Sequence, residues 1–295
     1  MFALSGQGVW SGWGVRRVGG AGTCGKVISF WFVVLEIEVP LAGGDVTEGV
    51  VRAGETVRRV MGAHSPAVHG LLRHLEAVGF DGAPRMLGVD ERGREILSWV
   101  DGECPRSPLP AWAVGDEALA GVGALLRRYH EAVRSYGTRV EDPWDSVASN
   151  FDGPAEVIGH CDVTPENVVF RGGVPVALID FDLARPTTRM YDVVTALRHW
   201  APIADPADRD DLLYDVDAGR RMRIFADAYG LSAGERRELL PAARVRFERS
   251  YRAMKRRAEG GGAWARLWRG GAGGRIRRAQ DWLDTHWDEL DAHLV

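Results

Sequence analysis

The sequence predicts an α+β fold in two lobes, a small β-rich lobe followed by a larger and mainly helical lobe. Residues 36–100 carry short β-like segments punctuated by glycines, with one amphipathic helix among them. Residues 101–295 instead carry long segments of helical periodicity. Residues 1–35 are rich in glycine and follow neither period, so we expect a loose extension or an upstream start there. The contrast between the β-rich and the helical region predicts two lobes with a cleft between them.

Composition and charge exclude several functional classes. With 295 residues, 45% hydrophobic and 26% charged, the chain is an ordinary globular protein that is large enough to bury a core. A net charge of -4 argues against a dedicated nucleic-acid binder, which needs a basic excess. The three cysteines show neither metal-ligand spacing nor a disulfide framework, which indicates a reducing, cytoplasmic compartment. The oligomeric state stays open between monomer and homodimer.

One apolar run near the N-terminus bears on the membrane. The segment VISFWFVVL at residues 27–35 is too short to span a bilayer, so we expect no membrane contact. A signal peptide is the alternative, since Arg16 and Arg17 precede the run. No small-residue cleavage site follows it, which favours the extension.

The smaller lobe is predicted from five segments. Three β-like segments read EIEVPLA, GVVRAG and ETVRRVM. The helix SPAVHGLLRHLEAVGF begins with Ser65 as N-cap, followed by proline and an apolar stripe. The segment RMLGVDERGREILSWV predicts a hairpin that turns at DERG. We therefore expect a small sheet with one helix packed against it.

The larger lobe is predicted to be helical except for one hairpin. DEALAGVGALLRRYHEAV is a strong amphipathic helix. Further helices are expected at residues 187–200, 218–230, 234–257 and 276–293. Between them, NVVF, the turn RGG and VPVALID predict a β-hairpin inside this lobe.

Polar residues gather around that hairpin. Asp162 and Asn167 precede it and Asp180 follows it, so the hairpin should bring the three together. A carboxylate and an amide oxygen suit Mg²⁺, and a further carboxylate can take the proton of an acceptor hydroxyl. Positioning and charge neutralisation supply the remaining catalysis in phosphoryl transfer from Mg·ATP. The alternative is a hairpin with ordinary polar turns.

The pattern His160-x-Asp162-x-x-x-x-Asn167, with Asp180 after a hairpin, resembles the kinase catalytic loop and metal-binding Asp. Thr164 stands where protein kinases carry a lysine, and IDFDLA replaces their Asp-Phe-Gly. The sequence is thus similar to the aminoglycoside phosphotransferase and choline-kinase-like family of small-molecule kinases. The resemblance covers roughly residues 38–295 and is specific over 159–200. It implies a protein-kinase-like fold that uses ATP and Mg²⁺.

The resemblance also implies roles for the residues of the motif. Asp162 would be the catalytic base, and Asn167 and Asp180 the magnesium ligands. His160 would support the catalytic loop without reacting. The role of Asp182 stays open between a metal or substrate contact and a cap on the next helix.

In the smaller lobe, LAGGDVTEGVV with Gly43 and Gly44 would be the glycine-rich loop over the phosphates. A plain hairpin turn is the alternative. The strand expected to hold a phosphate-binding lysine reads ETVRRVM and has none. Either Arg58 or Arg59 must serve, because β alternation lets only one face the cleft. Arginine can hold phosphate bidentately, although it is not interchangeable with lysine.

Two further features of the family have uncertain counterparts in this sequence. The helix glutamate that pairs with the phosphate-binding cation could be matched by His69 or by Glu76. In the connector EILSWVDGE, the backbone from Ser98 to Val100 would meet the adenine, or the segment is merely an interlobe strand. Because these family features are not securely matched, a kinase-fold protein that binds its ligand without turnover is an alternative.

Two charged regions bear on the acceptor. The run DPADRDDLLYDVDAG would attract an aminated substrate if it lined the cleft, or it is a solvated face. The basic segments RRMRIF and RVRFERSYRAMKRRAE would bind an anionic partner or lie exposed without function. The sequence alone does not decide whether the acidic run or the basic segments contact the acceptor.

The resemblance therefore predicts a cytoplasmic phosphotransferase that moves the γ-phosphate of ATP to a hydroxyl of a small molecule. The acceptor class would be aminoglycoside-like, an amino alcohol or a related metabolite, with antibiotic resistance as one role. One alternative is a kinase-fold binding or immunity protein with little or no turnover. The other is a protein kinase, for which DFDLARPTTRMYDVV leaves little room for an activation segment.

Overall fold

The computed structural model describes residues 37–41, 49–145 and 154–295. These residues belong to one compact unit that extends over residues 36–295. The predicted extension at residues 1–35 lies outside the described residues, as does the predicted phosphate loop with Gly43 and Gly44. Both stay predictions.

The smaller lobe contains an antiparallel sheet in the order β1-β2-β3-β5-β4. Its strands are β1 (Glu38–Pro40), β2 (Val51–Ala53), β3 (Thr56–Val60), β4 (Met86–Val89) and β5 (Arg94–Ser98). The predicted hairpin through DERG is confirmed as β4 and β5. Its last turn residue, Gly93, has a φ of 74°, a left-handed conformation that glycine adopts without strain.

Helix α1 (Ser65–Ala77) is the predicted helix of this lobe, and its apolar stripe is buried at Val68, Leu71, Leu72 and Leu75. The N-cap prediction was wrong, because His64 occupies that position and the helix already begins at Ser65. The Ser65 hydroxyl oxygen accepts a hydrogen bond from the amide of Gly62 upstream, at 2.9 Å, instead of from an amide of the first helical turn.

The larger lobe consists mainly of helices. They are α2 (Ala111–Val114), α3 (Asp116–Val133), α4 (Arg189–Trp200), α5 (Ala218–Tyr229), α6 (Ala233–Arg237), α7 (Leu239–Glu259), α8 (Gly262–Arg269), α9 (Ala272–Thr285) and α10 (Trp287–Leu294). The helix expected at residues 276–293 is interrupted at His286, which divides it into α9 and α10. The helix expected at 234–257 is likewise interrupted at Glu238.

Two pairs of short strands lie in this lobe. Strand β7 (Val168–Arg171) pairs with β8 (Val174–Leu178), which confirms the predicted hairpin. Strand β6 (Val157–Gly159) pairs with β9 (Arg185–Thr187), a pairing that the sequence did not predict. The α+β class is therefore confirmed. Within the described ranges, no helix is both long and apolar enough to cross a bilayer.

Helix α3 lies at the centre of the core and contacts α1, α5 and β8. Its side chains at Leu119, Val122, Leu125 and Leu126 are at most 1% exposed. The β7–β8 hairpin rests on this helix, so the core holds in place the segment that carries the predicted site.

We expect Leu126→Ala to lower the free energy of unfolding by about 2–5 kcal/mol, through lost burial and the cavity left behind. Leu212 is 48% exposed, and Leu212→Ala is the matched control, with an expected change of about 0.5 kcal/mol or less. Chemical denaturation measures both. Equal losses would contradict the placement of α3 in the core.

Candidate active site

The β7–β8 hairpin brings the three predicted acid and amide residues together. The amide of Ile179, after β8, donates to the carbonyl of Asn167, before β7, at 2.9 Å. The Asn167 side-chain amide in turn donates to the Asp162 carboxylate at 2.8 Å. Asp180 follows Ile179 in a left-handed conformation with a φ of 63°. The hairpin therefore closes one small polar site around Asp162.

Asp162 sits in surroundings that disfavour its charge. Burial and, next, the negative charge of Asp180 raise the pKa of Asp162 to about 7. The hydrogen bond from Asn167 acts in the opposite direction but is outweighed. A carboxyl group with such a pKa can exchange a proton near neutral pH, which is what a general base requires.

His160 lies behind the catalytic loop and is fully buried. Its Nε2 is 2.9 Å from the carbonyl oxygen of Ile179, and its ring packs on Phe181 with centroids 4.6 Å apart. Burial lowers the pKa of His160, so its imidazole is held neutral. These contacts join the loop to the end of β8, in the position predicted for a supporting residue.

Asp192 on α4 holds the catalytic loop in place through hydrogen bonds to its backbone. Its two carboxylate oxygens accept the backbone amides of His160 and Cys161, each at 2.7 Å. His130 on α3 lies 3.1 Å from the same carboxylate. Cys161 has a φ of 64°, an uncommon conformation for a residue other than glycine, which these bonds help to fix.

The sequence analysis assigned no role to Asp192, which lies in the segment YDVV. The sequence does place this acid in the middle of an apolar helical segment. A carboxylate buried there needs hydrogen-bond donors, which indicates a structural role. Burial works against the charge of Asp192, but the hydrogen bond and charge of His130 outweigh it and lower the pKa of Asp192.

Arg59 on β3 is the second centre of the site and is 7% exposed. Its guanidinium donates to Asp180 at 3.0 Å, to Asp182 at 2.5 Å and to Glu95. Burial works against the charge of Arg59, but the carboxylates of Asp182, Asp180 and Glu95 outweigh it and raise the pKa of Arg59. One cation of the smaller lobe is thus bonded to two acids of the larger lobe.

Glu95 is a site residue that sequence reasoning missed. It lies directly opposite Arg59 in the β3–β5 register and is 1% exposed. His69 on α1 is 2.5 Å from the other Glu95 oxygen, whereas Glu76 lies at the surface beside Arg85. The acid that pairs with the cation therefore comes from the neighbouring strand, and the helix contributes a histidine. A cross-strand pair of opposite charges was the sequence indication.

With this geometry established, the sequence matches the phosphotransferase enzyme family, APH, over residues 135–225. The chain is also 35% identical to the trifolitoxin immunity protein of Rhizobium leguminosarum bv. trifolii over 276 residues, which is 88% of this chain and 99% of that protein. The chain belongs to the APH phosphotransferase family. The predicted family is thereby confirmed.

Solved structures share the fold of this chain. A choline/ethanolamine kinase family protein from Mesorhizobium loti superposes with a TM-score of 0.57 at 16% identity, over 88% of this chain and 92% of that one. The amicoumacin kinase hAmiN, solved with AMP-PNP, Ca²⁺ and Ami, superposes with a TM-score of 0.54 at 10% identity, over 74% and 80%. The predicted kinase-like fold is confirmed.

In this member of the APH family, the two candidate arginines of β3 have different surroundings. Arg59 contacts the acids of the site, whereas Arg58 lies near Glu38 on β1, whose pKa its charge helps to lower after the larger effects at Arg94. Alternation along the strand therefore directs Arg59, not Arg58, toward Asp180. Asp182 also lies 3.4 Å from His64, so it contacts two basic side chains, and Thr188 is the N-cap of α4.

The connector offers the adenine fewer groups than predicted. The Ser98 amide donates to the Arg85 carbonyl at 2.9 Å, and its hydroxyl accepts from the Arg85 amide at 2.8 Å. The amide of Trp99 donates to Glu55. Val100 has no backbone hydrogen bond within the described residues. Of the two predicted contacts, Val100 is thus the one whose backbone is available, because the Ser98 amide already serves the sheet.

Asn167 and Asp180 offer oxygen donors that could hold a metal ion. The Asn167 amide nitrogen is held by Asp162, which leaves the amide oxygen for a metal. Asp180 Oδ1 accepts from Arg59, and its Oδ2 has no hydrogen-bond partner among the described residues. Three or more His, Cys, Asp or Glu side chains nowhere converge on a metal position in those ranges. Two hard oxygen donors still fit Mg²⁺, which usually keeps waters and substrate phosphates as further ligands.

The acidic run after α4 does not form a cluster of unpaired carboxylates. Asp208 pairs with Arg278 at 2.6 Å. Asp210 accepts from the Ser107 hydroxyl and the Leu109 amide, each at 2.9 Å. Asp205 caps a short 3-10 helix, and Asp217 caps α5. These carboxylates stabilise local structure. Their contacts therefore favour a structural role for the acidic run over the predicted role of attracting an aminated substrate to the cleft.

We expect Glu95→Gln to lower the free energy of unfolding by about 3 kcal/mol, because it removes one partner of a buried ion pair. Glu55→Gln removes an exposed carboxylate that pairs with Arg52 on the surface, and about 0.5 kcal/mol is expected. Urea denaturation of both variants provides the comparison. A loss for Glu95→Gln no larger than that for Glu55→Gln would contradict the buried pairing.

Proposed function

We propose that this phosphotransferase transfers the γ-phosphoryl group of ATP to a hydroxyl group of a small molecule. The observation that carries the proposal is the convergence of Asp162, Asn167 and Asp180 at the two ends of one hairpin. Asp162 is the catalytic base in this proposal, and Asn167 and Asp180 hold Mg²⁺. His160 is a positioning residue, since its contacts are with the backbone and with Phe181.

The chemical step follows from this arrangement. The acceptor oxygen forms a bond to the γ-phosphorus as the bond from that phosphorus to the β–γ bridging oxygen breaks. ADP leaves with the electron pair, and the hydroxyl proton passes to the Asp162 carboxylate. Bound Mg²⁺ would supply neutralisation of the phosphate charges. Asn167 orients Asp162 through its hydrogen bond at 2.8 Å.

Nucleotide binding is assigned to the smaller lobe and the connector. Arg59 takes the place of the phosphate-binding lysine, held by Glu95 and His69 from behind. The backbone of Val100 meets the adenine, and Gly43 and Gly44 belong to the loop over the phosphates. The amicoumacin kinase bound to AMP-PNP and Ca²⁺ supports a nucleotide and a divalent cation at such a site.

A second candidate function is immunity to a toxin. The 35% identity to the trifolitoxin immunity protein, over 99% of that protein, favours it. Immunity could act through phosphorylation of the toxin or through binding alone. Only the first mechanism requires Asp162 as a base, so one substitution separates the two.

We expect Asp162→Asn to reduce ATP turnover by about 100-fold or more, because loss of a general base typically costs this much. Turnover is measured as Mg²⁺-dependent ATP consumption over a panel of hydroxylated amines, aminoglycosides and hydroxy acids. Asp81→Asn, at a side chain that is 85% exposed, is the matched control and should keep full activity. Undiminished turnover in Asp162→Asn would remove this residue as the base.

The same variant tests immunity in cells. A trifolitoxin-sensitive strain that expresses the wild-type protein is compared with one that expresses Asp162→Asn. Protection by both proteins would favour binding alone. Protection by the wild type only, together with turnover in the assay, would favour phosphorylation.

The pH profile provides a further check. Because Asp162 must be ionised to accept a proton and its pKa is about 7, kcat/KM should fall below neutral pH. The decrease should approach tenfold per pH unit, since kcat/KM reports the free enzyme. Rates measured from about pH 5.5 to 8.5 cover the transition. A flat profile over this range would contradict a base with the raised pKa.

A further inference from the structure

Three arginines of the larger lobe are wholly or partly buried. They are Arg185 on β9, Arg198 on α4 and Arg246 on α7. Arg185 and Arg246 are 4% and 9% exposed, and the Nη1 atom of Arg198 is buried without a hydrogen-bond partner. Within the described ranges, none of the three forms an ion pair with a carboxylate. This sets them apart from Arg59, which has three acidic partners.

Few of the donors on these guanidinium groups are used. Arg246 donates once, from Nε to the Thr195 hydroxyl at 2.8 Å. Arg198 contacts the ring of Phe247, with its guanidinium carbon 5.2 Å from the centroid. Arg185 donates to the Leu183 carbonyl and the Tyr191 hydroxyl. Each guanidinium carries five N–H donors, so most remain available on Arg246 and Arg198.

Another buried arginine of the same lobe shows how backbone hydrogen bonds can compensate for a buried guanidinium charge. Arg221 is 4% exposed and also lacks an acid, but it donates three bonds of 2.8–3.0 Å to the carbonyls of Trp200 and Val114. Burying a charge without such compensation costs several kcal/mol. Arg198 and Arg246 have no comparable compensation within the described residues, so a partner from outside the chain fits them.

The cluster lies beside the catalytic loop. The indole of Trp200 donates to the carbonyl of Val163 at 2.9 Å, which fastens the end of α4 to the residue after Asp162. Thr195, the partner of Arg246, lies about one turn before Arg198 on the same helix. After burial, Tyr191, Asp162 and Arg185 are the neighbours that act on the pKa of Arg246. Arg246 therefore lies close enough to both the proposed base and Arg198 for their charges to interact.

Mutual repulsion accompanies this arrangement. Burial and, next, the charge of Arg246 lower the pKa of Arg198 to about 9. Burial and the charges of Arg198 and Arg246 likewise lower the pKa of His199. The charge of Asp208 acts in the opposite direction on the pKa of Arg198, but the Asp208 carboxylate is ion-paired with Arg278. The region thus presents concentrated positive charge beside the proposed base.

We propose that the acceptor carries an oxyanion, a carboxylate or a phosphate, in addition to its hydroxyl, and that Arg246 and Arg198 bind it. This assignment rests on the proposed phosphotransfer. Arg185 adds positive charge behind Arg246. Guanidinium groups bind both oxyanions bidentately, so the two share one recognition chemistry. An aminated acceptor without an acidic group would be repelled from the same position.

The test is calorimetric titration of the full chain, with AMP-PNP and Mg²⁺ present, against four probes. Inorganic phosphate and gamma-hydroxybutyrate represent the two oxyanions. Butanediol and aminobutanol are the neutral and cationic partners of similar length. We expect at least one oxyanion to bind at least about tenfold more tightly than butanediol and aminobutanol. Preference for aminobutanol, or no binding of either oxyanion, would overturn the proposal.

Variants locate the bound anion. Arg246→Gln and Arg198→Gln should each weaken oxyanion binding by roughly tenfold or more, as expected for loss of a charge-assisted hydrogen bond. Arg223→Gln is the matched control, because Arg223 is exposed and pairs with Asp227 on α5. Should Arg246→Gln fail to fold, Arg246→Lys replaces it, since lysine keeps the charge without the planar fork. Unchanged binding in the Arg246 and Arg198 variants would show that the anion binds elsewhere and would overturn the proposal.

The outcome is separable from that of the proposed function. Loss of all oxyanion preference, with Asp162-dependent ATP turnover retained, would overturn this inference alone. Oxyanion binding that depends on Arg246 and Arg198, without turnover of any acceptor, would support the anion site and count against the phosphotransfer.

Discussion

The candidate site depends on the hydrogen bonds that the carboxylate of Asp192 accepts. This carboxylate is fully buried, and it accepts two backbone amides of the catalytic loop while it contacts His130. Burial of a carboxylate is tolerated only when donors surround it. This one acid therefore joins α3, α4 and the loop, and it holds the strained backbone of Cys161 immediately before Asp162.

A second charge network links the lobes. Arg59 belongs to the sheet, whereas Asp180 and Asp182 follow the β7–β8 hairpin of the larger lobe. Their ion pairs join the sheet to the catalytic residues, and Glu95 fixes the other side of the guanidinium. Because Arg59 is bonded to a proposed magnesium ligand, nucleotide and metal would meet a site in which one guanidinium group already contacts three carboxylates.

The larger lobe uses its charged residues unevenly. Four aspartates in the run after α4 form caps or ion pairs, as at Asp208 and Asp210. Arg246 is buried and Arg198 is partly buried, and neither forms an ion pair with a carboxylate in the described part of the chain. Functional sites often retain such destabilising arrangements because ligand binding compensates for them. The contrast indicates which charges stabilise the fold and which are available to a ligand.

The sequence by itself determined the α+β class, most helices, both hairpins and the family, because periodicity, turn residues and motif spacing are local properties. Asp162, Asn167 and Asp180 could be grouped from sequence since one short hairpin separates them. Their chemical roles stay predictions. Only the tertiary structure decided that Glu95 is the partner of Arg59 and that Asp192 supports the loop, because strand register and helix packing join residues distant in the chain. The same holds for Arg198 and Arg246, whose burial depends on how α4 packs against α7.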